Sequence, residues 1–482
     1  MEKTPNIIFI MTDQQRGDCL SIENHPVLMT PNMDSIAGNG VRFARCYSTC
    51  PACVPARRSL LSGQYPSTHG FVNNVSGIEW EGPTLPGELK KAGYHTYLVG
   101  RNMHQHPSRK RYGFDHMVIE YDAEAKDYSE WLEKKMPDIY ESYRSSRYGS
   151  MYHTSGIMHN DWTARPWHME EVYHLTNWTV NEALKFLNKR DPSVPYFLMV
   201  SFLAPHPPLT PPAFYMERYL RQELPEPYIG EWAVSPENNG LGMDAGSKKV
   251  HLKGEALKSC RAAYYGLINH LDDQIRRFLN PVTGINLNKD LDTIVIFTSD
   301  HGEMLGDHYM FRKSFPYEGS TRIPLLIRAP EHYGIRKGTV IDKTVSLEDI
   351  MPTILDMVGL DIPSSVEGKS LLPLCRGEEV LHRDYIHTEC APRFQCLTDG
   401  KQKYIWFTDT GKEQFFDLEK DSHECHNLSE KPGYKQDLEQ WRELLVNELR
   451  NRPEGFIDGN KLIPGRPYQS VIPGTNHLKC EH

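Results

Sequence analysis

Asn6-Ile7-Ile8-Phe9-Ile10-Met11 runs without a break into Thr12-Asp13-Gln14-Gln15. An apolar, largely β-branched run with no alternation fits a strand buried on both faces, as in a parallel sheet. Thr293-Ile294-Val295-Ile296-Phe297 reads the same way and leads into Thr298-Ser299-Asp300-His301-Gly302-Glu303. Tyr196–Phe202 (YFLMVSF) is a third such run. Helical patterns lie between them. Val172, Leu175 and Trp178 share one face, which Val180, Leu184 and Leu187 continue. Ser346–Val358 opens on Ser-x-x-Asp, a capping-box variant, and stops at Gly359. Strands alternating with helices predict a doubly wound α/β fold, a mostly parallel sheet sandwiched by helices. Active sites in such sheets lie beyond the carboxyl ends of the strands.

Asp122–Trp167 is polar and rich in Tyr, Trp and His, and reads as an excursion over the sheet. From Cys375 onward the apolar runs shorten to Tyr404–Phe407 and Phe415–Leu418, followed by an acidic helix near Gln436–Leu449. This divides the chain into a catalytic α/β domain, 1–374, and a small C-terminal α+β subdomain, 375–482, with short antiparallel strands. There is no internal repeat or low-complexity tract.

The 482 residues carry 54 Lys and Arg against 63 Asp and Glu, a net charge of −9. That argues against nucleic acid or a membrane surface as partner, since both select a basic excess. An anionic ligand must therefore meet a local basic cluster. Ten cysteines are far too few for a disulfide scaffold, and no second pair completes a zinc finger around Cys50 and Cys53. The longest apolar run, Tyr196–Ala204, is too short for a membrane span. With no charged and apolar leader, the chain reads as cytoplasmic, or as periplasmic where a leader was removed before Met1.

Two strand ends each supply a carboxylate and a neighbouring donor. Taken singly, each is also a common helix cap. Together they suggest one divalent-metal site, and mostly oxygen ligands favour Ca²⁺ or Mg²⁺ over zinc. The segment Cys50-Pro51-Ala52-Cys53-Val54-Pro55-Ala56-Arg57-Arg58-Ser59-Leu60-Leu61-Ser62-Gly63 places Cys53 at the start of a short helix, with Pro55 in its first turn and Gly63 near its end. A helix N-terminus stabilises negative charge there. A Cys-x-x-C redox pair and a structural cysteine are two readings of this segment. The third is the Cys-x-Pro-x-Arg motif.

On that motif and its extension through Gly63, the chain resembles the type I, formylglycine-dependent sulfatases of the alkaline phosphatase superfamily. Thr30–Asp34, Gly38–Phe43, Thr68–Gly70, Gly93–Thr96, Asp349–Thr353, Gly368–Leu371 and Phe416–Leu418 also look like that family. The resemblance implies an alkaline-phosphatase-like fold and a hydrolase of sulfate monoesters. It implies one Ca²⁺ held by Asp13, Gln14, Asp300 and His301, with Cys53 beside them, oxidised to formylglycine by a maturation enzyme. Gln14 stands where aspartate is commoner. It also implies catalytic roles for Cys53, Arg57, Arg101, His104, His206 and Lys313. A hydroxyl of the formylglycine hydrate attacks sulfur with Asp300 as base. His206 protonates the leaving group, and a second hydroxyl loses its proton to His104. Arg57 orients the hydrate, while Lys313, Arg101 and the cation neutralise the sulfate.

Arg101-x-x-His104 and His301 look like the iduronate-2-sulfatase branch, and bacterial glycosaminoglycan sulfatases are similar. The implied substrate is a sulfated small molecule or oligosaccharide, led by 2-O-sulfated uronic acids. Arylsulfatase and phosphonate monoester or phosphodiester hydrolase activities are the alternatives within the superfamily. Arg109, Lys110 and Arg111 are read either as a solvated loop or as a carboxylate subsite. Trp162 and Trp167 are read either as sugar platforms or as core.

Overall fold

The structure is a computed structural model that describes residues 4–120, 127–137, 162–236, 248–279, 292–475 and 478–480. The strands are β1 (Asn6–Asp13), β2 (Val41–Tyr47), β3 (Ile78–Trp80), β4 (His95–Gly100), β5 (His116–Ile119), β6 (Tyr196–Pro205), β7 (Thr293–Ser299), β8 (Arg322–Ile323), β9 (Leu325–Arg328) and β10 (Thr339–Ser346). Nine of them form one sheet in the order β10-β2-β9-β7-β1-β6-β4-β5, with β8 beside β2. All run one way except β8 and β9, which pair antiparallel. β3 lies outside this sheet and pairs with residues 478–480.

The three unbroken apolar runs are β1, β6 and β7, which lie side by side in the middle of the sheet. Each is buried on both faces. Ile8, Ile10, Val295 and Phe297 meet side chains of helices Pro31–Gly38, Leu175–Lys189 and Gly254–Leu279. Ile7, Phe9, Met11, Ile294 and Ile296 face Leu60 and Leu61 of helix Cys53–Ser62 and Ile354 of helix Ile350–Met357. This is the expected mostly parallel sheet sandwiched by helices. No helix among the described residues is long and apolar enough to cross a membrane.

The helix expected from Val172 begins instead at Leu175. His174 accepts a hydrogen bond from the Thr176 N–H through its ring, and Val172 lies exposed in a preceding 3₁₀ turn. The Ser346 box is formed in both directions with Asp349 and opens a 3₁₀ turn that runs into helix Ile350–Met357. The excursion at Asp122–Trp167 lies largely outside the described residues. Within it, helix Asp127–Lys135 packs Tyr128 and Leu132 against Trp178. Trp162 packs on the main core, and Trp167 meets His174 edge to face at 5.0 Å.

Four further strands, β11 (Ile386–Cys390), β12 (Phe394–Thr398), β13 (Gln402–Phe407) and β14 (Glu413–Asp417), form an antiparallel sheet. One face packs on helix Lys435–Leu449 through Leu397, Tyr404, Trp406, Trp441 and Leu445. The other face, with Cys390, Phe394, Cys396 and Ile405, closes over Cys50 and Ala52. Helix Leu372–Arg376, which spans position 374, still contributes Leu372 and Leu374 to the main core.

Gly100 ends β4 in the left-handed region at φ +97°, where a Cβ would collide with the Ser201 carbonyl oxygen of β6. Gly100→Ala adds both strain and a clash, and should destabilise the protein by about 2 kcal/mol or more. Calorimetry should show a lower Tm, and an unchanged Tm would contradict this account of the β4 end.

Candidate active site

The register of the central strands assembles the site. Thr12 of β1 pairs with Ser299 of β7, so Asp13 and Asp300 emerge side by side. Asp13 also pairs with Pro205, which puts His206 next to it. Gly100 pairs with Ser201, which brings Arg101 to the same edge. Across this row stands the N-terminus of helix Cys53–Ser62, ended by Gly63 at φ +66°.

Ligand atoms of Asp13, Cys53, Asp300 and His301 lie within 4.8 Å of one another, and all four residues are buried. Cys53 Sγ is 3.2 Å from His301 Nε2 and 3.9 Å from Asp13 Oδ1. His301 Nε2 lies 3.6 Å from Asp300 Oδ1 and 3.7 Å from Asp13 Oδ1. Its Nδ1 is 3.1 Å from the Gly302 carbonyl oxygen, a contact that calls for Nδ1–H and leaves the Nε2 lone pair facing the carboxylates. Burial, the largest influence, would lower the His301 pKa, but Asp300 and Cys53 together raise it, and the net shift is upward. The pocket thus attracts positive charge, and two carboxylates with one imidazole nitrogen suit a divalent cation.

Arg57 ties the two carboxylates together. Its Nε donates to Asp300 Oδ2 at 3.0 Å and Nη2 to Asp13 Oδ2 at 2.9 Å. Nη1 donates to the Asn102 carbonyl at 2.8 Å and Ser201 Oγ at 3.1 Å. Arg101 Nε lies 3.4 Å from Asp13 Oδ2. Lys313 Nζ donates to Gln14 Oε1 at 2.7 Å, while the Gln14 amide nitrogen donates to Glu303. Burial would push the Asp13 carboxyl up, but His206, Arg57, Lys313 and Arg101 hold it well below the usual range. Burial and Asp13 likewise raise the Cys53 thiol, yet Lys313 and His301 prevail and lower it.

His104 sits in left-handed backbone at φ 51°, and its Nε2 has no hydrogen-bond partner. Burial, then Arg101 and Arg57, hold its pKa well below the ordinary value, so it is neutral. Burial and then Lys313 act the same way on His206, whose Nδ1 is 2.6 Å from the Pro207 carbonyl oxygen.

All ten predicted positions therefore lie in one connected cluster. Two participants were missed. Ser201 was hidden within a strand, where a lone hydroxyl in YFLMVSF was the only signal, and the Asn102 contact is made by a backbone carbonyl. Farther along the same segment, Asp307 pairs with Arg16 and Arg261, and His308 accepts from the Gly230 N–H. The basic run finds partners within the protein. Arg109 pairs with Asp127, Lys110 with Glu79 at 2.5 Å, and Arg111 donates to the Asp115 carbonyl. These contacts are those of a surface loop, the other reading of the run. Cys50 packs with the small sheet while Cys53 lies among Asp13, Asp300 and His301, an arrangement that speaks against the redox-pair reading.

Residues 5–360 match the Sulfatase family, and residues 306–451 match "N-sulphoglucosamine sulphohydrolase, C-terminal". The chain is 41% identical over 478 residues to an arylsulfatase of Clostridium perfringens, covering 97% of this chain and 99% of that one. Among solved structures it is similar to a phosphonate monoester hydrolase of Agrobacterium radiobacter, with a TM-score of 0.78 and 27% identity over 92% of this chain and 95% of that one. It is also similar to a protein solved with its substrate D-glucosamine-2-N,6-O-disulfate, with a TM-score of 0.71 and 26% identity over 93% and 98% of the two chains. With the family matched across most of its length and a carboxylate-lined pocket at Cys53, the chain belongs to the sulfatase family and is a sulfuric ester hydrolase.

Proposed function

We propose that the chain hydrolyses sulfate monoesters of saccharides, using a formylglycine made from Cys53 and one bound Ca²⁺. The observation that carries this reading is the position of Cys53, at a helix N-terminus within the Cys-x-Pro-x-Arg motif and among Asp13, Asp300 and His301. These residues, with Gln14 alongside, would hold the cation, which when bound neutralises non-bridging sulfate oxygens. The hydrated aldehyde at position 53 supplies the hydroxyl nucleophile. Cys53 is only 4% exposed, so its maturation enzyme must reach it before folding closes the pocket.

The remaining residues bind, orient and move protons. Lys313 and Arg101 present cationic donors to the sulfate. Arg57 fixes the two carboxylates so that neither swings away. Burial and Lys313 keep His206 neutral, and the negative charge of an arriving ester favours its protonated form, which can donate to the departing oxygen. Neutral His104, with Nε2 unengaged, is suited to accept a proton. The Arg101-x-x-His104 spacing and His301 favour a 2-O-sulfated uronic acid, and the relative crystallised with a disulfated glucosamine supports a sulfated sugar more broadly. The 41% identical arylsulfatase supports a second reading, aryl sulfates, and parallel assays on both ester classes decide between them.

Three outcomes follow from this reading. Cys53→Ala should stay folded and lose about three or more orders of magnitude in kcat. Mass spectrometry of the active protein should show the thiol replaced by an aldehyde, and near-normal turnover in the variant would exclude covalent catalysis. Asp13→Asn and Asp300→Asn should each weaken Ca²⁺ binding in titration calorimetry, and a fully active enzyme free of divalent metal would refute the site. Arg57→Met strands two buried carboxylates and should cost about 3–5 kcal/mol of stability without metal. Added Ca²⁺ should recover part of the lost Tm, and equal Tm values for variant and parent would contradict the charge pairing.

A further inference from the structure

Backbone pairing sets Lys248 opposite the segment that leads to Lys313. The Val250 N–H donates to the Tyr309 carbonyl at 2.9 Å and the Phe311 N–H to the Lys248 carbonyl at 3.0 Å, with Lys249 opposite Met310. Lys248 thus lies across from Phe311, two residues before Lys313, whose ammonium reaches Gln14 in the site. From the other side comes the turn after β11. The Arg393 N–H donates to the Cys390 carbonyl at 3.0 Å, and Cys390 shares a buried cluster with Cys50, three residues before Cys53. Lys248 is half-buried and Arg393 exposed.

Among the described residues, the titratable groups that act most on Lys248 are Cys390, Arg393, Arg312 and Lys313. Burial first, opposed by Cys390, and then the three cations push its ammonium down. A half-buried ammonium facing like charges raises the energy of the empty protein, and an anion placed between them reverses the sign. Arg109, Lys110 and Arg111 differ in this respect, because their donors are already engaged. We propose that Lys248 and Arg393 form a subsite beside Lys313 for a second anionic group of the substrate, a carboxylate or a second sulfate. The assignment rests on the saccharide reading above and narrows it to esters carrying more than one negative charge.

The test uses the full, formylglycine-bearing enzyme and substrates matched in all but one charge. One pair is a uronic acid 2-sulfate and its methyl ester. The other is D-glucosamine-2-N,6-O-disulfate and D-glucosamine 6-O-sulfate. Lys248→Met and Arg393→Ala should each lower kcat/KM for the more charged member about 10-fold further than for its partner, mainly through KM. Lys248→Arg should restore most of the difference. A response confined to the first pair identifies a carboxylate, and one confined to the second pair identifies a sulfate. Equal losses on both members would mean that the cations serve the reacting sulfate, and no loss would mean that they bind nothing. Either result overturns the subsite. If the unsubstituted enzyme turns over only aryl sulfates, the saccharide reading fails by itself. An aryl sulfate with and without a ring carboxylate then reads the subsite independently, by the same ratio.

Discussion

The Arg57 guanidinium lies between Asp13 and Asp300, and all three side chains are fully buried. Two carboxylates removed from water would repel each other and each would lose its hydration. A single planar fork meets both, and its remaining nitrogen reaches the ends of β4 and β6 through the Asn102 carbonyl and the Ser201 hydroxyl. This one side chain thus joins the edges of four adjacent strands to the helix that begins at Cys53. Its geometry also leaves Oδ1 of each aspartate facing the thiol and His301, so that negative charge is concentrated where a cation is needed.

The smaller sheet holds the nucleophile loop from outside. The Glu389 N–H donates to the Thr49 carbonyl at 2.9 Å, and the Ala391 N–H to the Val72 carbonyl at 2.8 Å. Glu389 itself is gripped by Arg452 and Tyr468. The Ser314 N–H donates to the Pro51 carbonyl at 2.9 Å, which links the Lys313 segment to the same loop. The backbone leading into Cys53 is therefore held by partners from two distant parts of the chain. A cysteine held this way cannot relax toward a neighbouring thiol, consistent with Cys50 facing the small sheet while Cys53 faces the carboxylates.

Two kinds of prediction fared differently against this structure. The buried strands β1, β6 and β7 were legible because a run that is apolar on both faces has few alternatives to a central parallel strand. The helix starting at Cys53 was legible from Pro55 and Gly63, whose backbone preferences act locally. The basic run Arg109–Arg111 was misleading because charge along a sequence says nothing about partners. Its acids, Glu79 and Asp127, lie far away in the chain. Lys248 gave no signal for the converse reason, since its cationic neighbours Lys313 and Arg393 meet it only through the bridge to Phe311 and the turn after β11.

By itself the sequence determined that β1, β6 and β7 are buried strands, that Asp13 and Asp300 stand at the ends of two of them, and that Cys53 opens a helix. These are consequences of burial periodicity and local backbone chemistry. Only the tertiary structure decided that β1 and β7 are neighbours in register, so that the two aspartates share one guanidinium. It also decided which cations are neutralised and which are left facing one another. Electrostatic pairing depends on distance in space and on the dielectric around each charge, and the fold sets both.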